Sequence, residues 1–403
     1  MDDCRLCGGK DMELVLDMGE HPIAHHYKED PAQEEYRHIV GLSFCKQCGH
    51  IQLDDPIPAE ILYANYICLS SWKFQPHVPQ LVNLISRQTS VTKDSLVLEV
   101  GSNDGRFLKA LEEEGYRNLI GIEPAEDARR SAAEKGVITI PGFFDKQKAW
   151  GFVQEHGQCD LFISRQVLEH IKDLNEFMEA MRIVIKPGGL VLIEVPNFMM
   201  NLEMFDYTLW EEHVNYFTFD TLNNFFSRTG IVELHREKVV FSGEILVVLG
   251  QYIGPEAKET KIDYVAALTK KVEKYKRNWS DFRGRVQTYL LDQRKAGKKI
   301  AVYGAGSRTS SFVNFLGLKD YLDCFLDDQV EKQFKYMPGS QLPILPSKAL
   351  YERSIGVCLL GVNFECEDKV VTNHAEFLRR GGEFYSILPP SHRLPGFWKE
   401  LLV

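Results

Sequence analysis

The sequence lacks several features that would assign it to a class at once. No stretch approaches the roughly 18 consecutive apolar residues of a membrane-spanning helix. Residues 1–13 contain neither the basic nor the apolar region of a signal peptide, and we therefore expect a cytoplasmic protein. Basic residues are in deficit, because 47 Lys and Arg stand against 57 Asp and Glu, for a net charge of −10. These absences predict a protein with neither nucleic acid nor membrane as its partner.

What the sequence does contain is the composition of ordinary globular domains. Of its 403 residues, 44% are hydrophobic and 26% are charged, which is typical of a chain with two or three domains. Residues 1–80 carry paired cysteines and several histidines. Residues 81–255 and 256–403 alternate strand-like and helix-like segments, so we predict three domains with these boundaries.

The third region begins with a long charged stretch, residues 256–296. Apolar residues recur in it at spacings of three or four, as on one face of an α-helix. They are Tyr264, Leu268, Val272, Tyr275, Trp279, Phe282, Val286 and Leu290. We expect this face to pack on its own domain rather than in a dimeric coiled coil. The sequence does not decide between a monomer and a homodimer.

Two C-x-x-C pairs, Cys4/Cys7 and Cys45/Cys48, are each followed by a glycine. A C-x-x-C turn points two thiolates at one ion, and two such turns close a tetrahedral site. Four protein thiolates leave no open coordination position, so we predict a structural Zn²⁺ rather than a redox motif. The nearby histidines are interpreted as surface residues or neighbours of the ligands. They are His21, His25, His26 and His50.

A glycine-rich turn interrupts the hydrophobic pattern at residues 101–105. It follows a strand-like run that ends in Glu99-Val100, and it is followed at once by a helical pattern. A second predicted strand ends 24 residues after Glu99, in Glu123, where an acidic side chain can hold two ribose hydroxyls. The turn lacks the three-glycine pyrophosphate cradle, which favours S-adenosylmethionine (SAM), a nucleoside without phosphate.

The segments that follow strengthen this interpretation. A third short strand leads to Pro141–Asp145, a fourth strand leads to Arg165–His170, and a turn at 186–189 precedes a fifth strand. In this order they resemble the class I SAM-dependent methyltransferases, over residues of about 81–250. The candidate cofactor-binding residues are Glu99, Gly101, Asn103, Asp104, Gly105, Glu123, Pro124, Phe143, Phe144, Arg165 and Gln166.

A candidate base lies beyond the fifth strand. Glu212-His213 stands in the run from Trp210 to Phe217, after the strand edge where ligands of α/β proteins bind. A histidine takes up a proton near neutral pH, and an adjacent carboxylate can raise its basicity or orient its ring. The alternative is a histidine whose hydrogen bonds only serve a loop.

The last region repeats the arrangement of strand, glycine turn and helix. Tyr303-Gly304-Ala305-Gly306 precedes Ser307-Arg308, where helix N-H groups and a guanidinium suit a phosphate. A second strand there ends in Asp327. Residues 333–344 form a polar loop bounded by prolines, for which a ligand-binding loop and a plain connector are equally supported.

Taken together, the motifs resemble the sugar C-methyltransferases that act on nucleotide-linked deoxysugars. Shared features are the cysteine pairs, Glu212-His213 with Tyr216-Phe217, and Lys335–Gly339. The resemblance implies an α/β chain with a zinc-binding N-terminal domain, a class I SAM methyltransferase core and a second Rossmann-like domain. It also implies that His213 removes the proton next to a keto group, that the enolate takes the SAM methyl group, and that the last glycine turn holds the nucleotide diphosphate.

The sequence departs from the family pattern at three places. Trp210 replaces a tyrosine two residues before Glu212, Ser307-Arg308 replaces a small residue and a lysine, and Tyr66 is the nearest substitute for a tyrosine of the zinc domain. The candidate catalytic residues are His213, Glu212 and Tyr66. The candidate substrate-binding residues are Asn197, Trp210, Tyr216, Tyr303, Gly304, Ala305, Gly306, Ser307, Arg308, Asp327, Lys335, Pro338 and Gly339.

Two other functions are compatible with these residues. One is an O- or N-methyltransferase acting on a different phosphorylated metabolite, which would leave carbon-bound protons of its substrate unexchanged. The other is a protein that binds SAM or a sugar nucleotide without turnover.

Overall fold

A computed structural model describes residues 3–62, 75–88, 90–255 and 263–402. The strands are β1 (Met12–Pro22), β2 (Arg37–Cys45), β3 (Ile51–Leu53), β4 (Leu96–Val100), β5 (Asn118–Glu123), β6 (Ile138–Pro141), β7 (Cys159–Arg165), β8 (Ile185–Pro196), β9 (Asn215–Tyr216), β10 (Ile231–Val240), β11 (Glu244–Tyr252), β12 (Lys299–Tyr303), β13 (Cys324–Leu326), β14 (Ile344–Leu345), β15 (Ile355–Leu360) and β16 (Glu383–Ser386).

The helices lie between these strands and cover the sheets. They are α1 (Ala59–Leu62), α2 (Val78–Ser86), α3 (Arg106–Glu113), α4 (Glu126–Glu134), α5 (Lys146–His156), α6 (Leu174–Val184), α7 (Phe198–Met204), α8 (Phe219–Thr229), α9 (Val265–Lys295), α10 (Ser307–Phe315), α11 (Ala349–Glu352), α12 (Phe364–Asn373), α13 (Ala375–Arg379) and α14 (Gly396–Leu401). Among the described residues, no helix is both long and apolar enough to cross a membrane.

The first sheet is antiparallel and has the order β1-β2-β3-β9. Its last strand comes from the middle of the chain, because Ile51 pairs with Tyr216 and Gln52 pairs with Asn215. The segment immediately before β9 contains His213. Strand pairing therefore holds that histidine where the first sheet meets the second.

The central sheet has the order β10-β11-β8-β7-β4-β5-β6. Strands β8, β7, β4, β5 and β6 are parallel, whereas β11 runs antiparallel to β8 and β10 antiparallel to β11. The inner strands are almost continuously buried, as expected when helices cover both faces. The carboxyl ends of the parallel strands therefore form one edge, where ligands of such sheets bind.

The last sheet is parallel and has the order β14-β13-β12-β15-β16. The direction of chain winding reverses between β12 and β15, which opens a crevice beyond the carboxyl ends of these two strands. The first sheet, this sheet and the central sheet confirm the expected α/β fold with two Rossmann-like units.

Helix α9 joins the parts of the molecule. It begins at Val265, later than the predicted start at residue 256, and residues 256–262 lie outside the described ones. Its buried face is the predicted one, with Leu268, Val272, Tyr275, Phe282, Val286 and Leu290 all buried. This face shares one apolar core with residues of β1, β2, α7 and the last sheet. The face therefore packs within the chain but against all three domains, whereas the sequence had predicted packing on its own domain alone.

Candidate active site

The four paired cysteines come together in the first domain. The Sγ atoms of Cys4 and Cys48 are 3.5 Å apart, those of Cys7 and Cys45 are 3.7 Å apart, and all four lie within 4.8 Å of one another. Zinc–sulfur bonds of about 2.3 Å place the sulfurs of a tetrahedral site about 3.8 Å apart. The donor set therefore fits a Zn²⁺ ion with no open position, as predicted.

The backbone around these cysteines folds into two matching turns. The N-H groups of Gly8 and Gly49 donate to the carbonyls of Cys4 and Cys45 at 2.7 and 2.8 Å. Gly49 has a φ of 73°, and a Cβ at this position would lie 3.0 Å from the ring of Tyr264. Glycine is required there both by the left-handed backbone and by the close approach of the residue that precedes α9.

His50 is not a surface residue, contrary to one of the two interpretations of the histidines. It is fully buried, and its Nε2 lies 3.0 Å from Oδ1 of Asn215 in β9. Burial lowers the pKa of His50 to about 4, so the ring is neutral at pH 7. This histidine connects the zinc-binding turns to the strand that follows His213.

The predicted cofactor turn connects β4 to α3. Its backbone turns through three left-handed residues, Gly101, Asn103 and Gly105, with φ between 50° and 71°. The N-H of Asn103 donates to Oε2 of Glu123 at 2.9 Å, and the N-H of Ala125 donates to Oε1 at 2.8 Å. The structure therefore brings the carboxylate of Glu123, at the end of β5, directly against the glycine turn.

The predicted residues at the base of this site form a buried charged network. Glu99 is 2% exposed and lies 3.7 Å from Arg165, which also pairs with Glu194 at 3.1 Å. Burial raises the pKa of Glu99 to about 8. Burial opposes the charge of Glu194, but Arg165 and His77 outweigh it and lower that pKa to about 2. Glu99 and Arg165 thus support the cofactor edge from inside the sheet.

Gln166 belongs to the same network. Its backbone N-H and its side-chain amide donate to the carbonyl and to Oε1 of Glu194 at 2.8 and 3.1 Å. Its φ of 53° is left-handed, so the chain turns sharply as it leaves β7. The residues that follow, 167–170, run across the cofactor edge.

Four other cofactor candidates have different surroundings from one another. The carboxylate of Asp104 pairs with Lys135 at 3.0 Å and with Arg106 at 3.1 Å, so it closes its own loop. Phe143 is 64% exposed beside this edge. Phe144 instead packs against Phe162 and Phe177 in the core, and this placement does not favour adenine contact by both phenylalanines. Pro124 is exposed directly after Glu123.

His213 lies in a tight turn formed by residues 210–213, where its N-H donates to the carbonyl of Trp210 at 3.2 Å. Its ring centroid is 4.4 Å from that of Trp210 and 4.9 Å from that of His170. Burial, followed by the positive fields of His170 and Arg308, lowers the pKa of His213 well below its usual value. The imidazole is therefore neutral at pH 7 and able to accept a proton.

The turn at 210–213 and the cofactor turn are linked by residues 167–170. Val167 packs so closely on Gly101 that a Cβ at position 101 would lie 2.3 Å from its Cγ2. His170, three residues later, contacts His213. Residues 167–170 therefore contact both His213 and the glycine turn at residues 101–105.

Glu212 does not face its chain neighbour His213, contrary to the expected orienting contact. Its Oε1 lies 3.2 Å from Nδ1 of His25, a residue of the zinc-binding domain. Its backbone carbonyl accepts the Nδ1-H of His170 at 2.9 Å. The reason is geometric, because successive residues in a tight turn point their side chains in different directions. Glu212 therefore holds the two histidines on either side of the turn.

Glu169 places a buried carboxylate close to the ring of His213. Ligand atoms of Glu169, His170 and His213 lie within 4.8 Å of one another. Burial raises the pKa of Glu169 to about 8, and neither of its oxygens has a hydrogen-bond partner among the residues that the structure describes. Glu169 was not among the candidate site residues selected from the sequence. Its position after β7 was the signal for a site residue.

Asn197 and Tyr216 have structural roles in this arrangement. Oδ1 of Asn197 accepts the N-H of Met199 at 3.1 Å and so caps α7, while its amide donates to Glu244. The hydroxyl of Tyr216 bonds both the N-H and the carbonyl of Trp210 at 3.2 Å. Neither side chain is directed to a substrate by these bonds. Tyr66, the third catalytic candidate, lies outside the described residues.

The glycine turn of the last domain is held by its own chain. The N-H of Ala305 donates to Oδ2 of Asp327 at 2.9 Å, and the N-H of Gly306 donates to Oγ1 of Thr309 at 2.9 Å. Asp327, at the end of β13, therefore shapes the turn. Tyr303 donates to Asp328 at 2.5 Å on the opposite side of this edge.

The sequence had suggested that Arg308 offers its guanidinium to a phosphate, but in the structure this group is already paired. It donates to Oδ2 of Asp206 and to the carbonyl of Ser242, both at 3.0 Å, and Asp206 is 1% exposed. A buried carboxylate requires a paired cation. Arg308 therefore joins the last domain to the central one, near His213, while Ser307 begins α10.

The loop at 333–344 is a connector between domains. Tyr336 exchanges backbone hydrogen bonds with Lys28 at 2.8 and 2.9 Å, and Lys335 pairs with Glu29 at 2.9 Å. The N-H of Gly339 donates to Glu35 at 3.0 Å. These contacts engage residues 335–339, including Pro338, with the zinc-binding domain and favour the connector over the ligand loop.

Three family models match separate parts of this chain. A zinc binding domain covers residues 4–63, a methyltransferase domain covers 77–235, and a C-methyltransferase C-terminal domain covers 256–389. With the strand order and the two sites described above, they define a SAM-dependent methyltransferase that carries a structural zinc site. This agrees with the predicted enzyme class and cofactors.

C-methyltransferase NovU from Streptomyces niveus is 29% identical over 411 residues, which cover 96% of each chain. The present chain is therefore similar to a C-methyltransferase over nearly its whole length, and the three matched domains agree with the resemblance that its sequence motifs predicted. A ubiquinone biosynthesis O-methyltransferase from Shewanella halifaxensis is 28% identical over 30% of this chain and 51% of its own. A solved SAM-dependent methyltransferase from Anabaena variabilis aligns over 45% of this chain and 87% of its own, at 14% identity and a TM-score of 0.38.

Proposed function

We propose that the protein transfers the methyl group of SAM to a carbon next to the keto group of a nucleotide-linked deoxysugar. The observation that carries this proposal is the position of His213. Its neutral ring contacts the segment that leaves the cofactor edge and lies within the field of Arg308, at the start of the helix that follows the last glycine turn. A base between these two turns suits a substrate whose nucleotide is anchored at the last glycine turn and whose sugar is methylated at the cofactor turn.

The chemistry follows from a neutral imidazole. His213 takes the proton of the carbon next to the ketone, and the electrons of that C-H bond form an enolate, a carbon nucleophile. When bound, SAM supplies an electrophilic methyl group held in line. A carbon–carbon bond forms as the carbon–sulfur bond breaks, and His213 later releases its proton to solvent. A C-methyltransferase requires such a carbon nucleophile, whereas an O- or N-methyltransferase does not.

The last domain supports a nucleotide as the anchor of the substrate. Its glycine turn lies at the point where the strand order reverses, beside Asp327 and Asp328 at the end of β13. A turn before a helix presents N-H groups to phosphates, and acidic residues at the neighbouring strand end suit ribose hydroxyls. The N-H groups of residues 304–306 already donate within the chain, and Arg308 is paired with Asp206. The N-H groups at the start of α10, rather than this guanidinium, would therefore bind the diphosphate.

A substrate panel tests this function. The protein is mixed with SAM and with nucleotide-linked 4-keto-6-deoxysugars that differ in nucleotide and sugar, and products are located by mass and by carbon NMR. The account predicts a new carbon–methyl bond with at least one sugar. A methyl group on oxygen or nitrogen would establish the other enzyme class, and SAM binding without any product would establish a binding protein.

A further inference from the structure

Residues 23–28, termed here the clasp segment, contact the turn that carries His213. The N-H of Ala24 donates to Oε1 of Glu211 at 2.6 Å. Nδ1 of His25 lies 3.2 Å from Oε1 of Glu212. Two successive residues of the zinc-binding domain thus contact two successive carboxylates directly before His213.

The surroundings of His25 favour the positively charged form of its ring. Its Nε2 lies 3.1 Å from the carbonyl of Leu62, which can only accept a hydrogen bond, and its Nδ1 faces the Glu212 carboxylate. Nε2 therefore carries a proton, and a second proton on Nδ1 would face a carboxylate. Burial opposes the charge, but the hydrogen bond and charge of Glu212, the charge of Glu211 and the Leu62 carbonyl outweigh it and raise the pKa of His25. The neighbouring His26 ring is 4.8 Å away.

The other end of the clasp segment contacts the last domain. The hydroxyl of Tyr27 donates to the carbonyl of Ala305, in the glycine turn, at 2.7 Å. Lys28 pairs with Tyr336 through two backbone hydrogen bonds. The segment therefore spans from the turn that carries His213 to the turn proposed to hold the nucleotide.

We propose that the clasp segment sets the position of the base relative to the nucleotide, and that His25 is a positioning residue that acts on His213 through Glu212. This proposal rests on the proposed role of His213 as the base. Glu212 is held at its carboxylate by His25 and at its carbonyl by His170, which itself contacts the ring of His213. The zinc-binding domain thereby has a part in catalysis that is separate from metal binding.

The expected effect is large because Glu212 is buried. Its side chain is only 8% exposed, and a buried carboxylate without its cation moves towards water or takes up a proton. Either change shifts the turn at 210–213. A displacement of about 1 Å at a reacting group costs up to roughly a hundredfold in rate.

NMR of the histidine rings tests the proposal without any substrate. The His213 signal is assigned by its loss in His213→Asn, and its titration is followed in His25→Gln. We expect the His213 signal to shift and its pKa to move towards the usual value. His235→Gln is the matched control, because it removes an exposed His–Glu contact of 3.7 Å and should leave the His213 signal unchanged.

Kinetics test the same link through catalysis. In His25→Gln we expect kcat to fall about tenfold to a hundredfold, with SAM affinity unchanged within about twofold. Glu212→Gln should cause a similar loss, and the double variant should lose no more than either single one, because both changes break one pair. A merely structural role would instead lower SAM affinity and kcat together. His25→Asn replaces His25→Gln if the latter does not fold.

The outcomes separate this inference from the proposed function. An unchanged His213 titration in His25→Gln, or additive losses in the double variant, would overturn the positioning role. A wild-type protein that methylates no sugar would overturn the proposed function, and the NMR titration would still decide whether His25 controls His213.

Discussion

The backbone N-H of Asn103 donates to the carboxylate of Glu123 at 2.9 Å, which joins the ends of two neighbouring parallel strands across the cofactor turn. We predict that Glu123→Gln raises the dissociation constant of SAM about tenfold to a hundredfold, because the amide leaves one N-H unpaired and loses an acceptor for the ribose. Calorimetric titration with SAM measures this change.

Glu126→Gln is the control for Glu123→Gln. Glu126 is exposed in the first turn of α4, three residues along the chain, and its replacement should leave SAM affinity unaltered. Equal affinities of the Glu123 variant and the wild type would mean that the carboxylate only closes the turn.

The pair between Arg308 and Asp206 predicts a loss of stability. Arg308→Ala leaves a carboxylate of 1% exposure without its cation, which costs about 3–5 kcal/mol in the free energy of unfolding. Denaturant unfolding measures the loss. Arg285→Ala, which removes an exposed pair with Asp281 at 2.8 Å, should cost less than about 1 kcal/mol. An Arg308 variant of full stability with a raised KM for the sugar nucleotide would assign the guanidinium to the phosphates.

The zinc site predicts one Zn²⁺ per chain and a dependence of stability on the metal. Cys45→Ser should lose the ion and lower the free energy of unfolding by about 3 kcal/mol or more, since metal binding is coupled to folding of such sites. The loss should spread to α9, because Tyr264 donates to the carbonyl of Cys48 at 2.7 Å. Elemental analysis and thermal unfolding check this. Cys366→Ser, a half-buried cysteine of the last domain, should retain both the metal and the stability.

The partial burial of His213 and its charged neighbours predict the pH dependence of the reaction. The base is lost when the pH falls through the pKa of the imidazole, which burial and the nearby positive charges hold well below 6.5. The acid limb of kcat/KM should therefore lie well below pH 6.5, and activity should persist at pH 6. Rates measured from pH 5 to 9 with a sugar nucleotide that the enzyme methylates test this. An acid limb at or above pH 6.5 would contradict a neutral, half-buried base.

The same burial makes His213 a source of acid instability. Its pKa is lower in the folded than in the unfolded chain, so between these two values the unfolded chain binds more protons. Stability contributed by the neutral ring is thus present above about pH 6.5 and decreases as the pH falls from there towards the folded pKa.

Features carried by local patterns could be predicted from the sequence. The cysteine pairs close a site because each C-x-x-C turn is short, and the cofactor turn forms because glycines follow a buried strand. The spacing of Glu123 from Glu99 located the second strand tip. These inferences depend only on the order of elements and on contacts that strand pairing imposes.

Contacts between distant segments could not be predicted in the same way. His25 meets Glu212 across 187 positions of the chain, and Arg308 meets Asp206 across 102. Neither pair leaves a periodic signal, because the domains must first pack together. Adjacency in the sequence was misleading for Glu212 and His213, and also for Phe143 and Phe144, since side chains of neighbouring residues point in different directions.

The most direct test of the central claim is the exchange of the substrate proton next to the ketone in deuterated water. With a sugar nucleotide that the enzyme methylates, and with S-adenosylhomocysteine in place of SAM, the wild type should introduce deuterium at that carbon. His213→Asn should abolish this exchange, whereas His235→Asn, a change at an exposed strand, should retain it. Undiminished deuterium incorporation by the His213→Asn protein, with its fold intact, would contradict the assignment of His213 as the base.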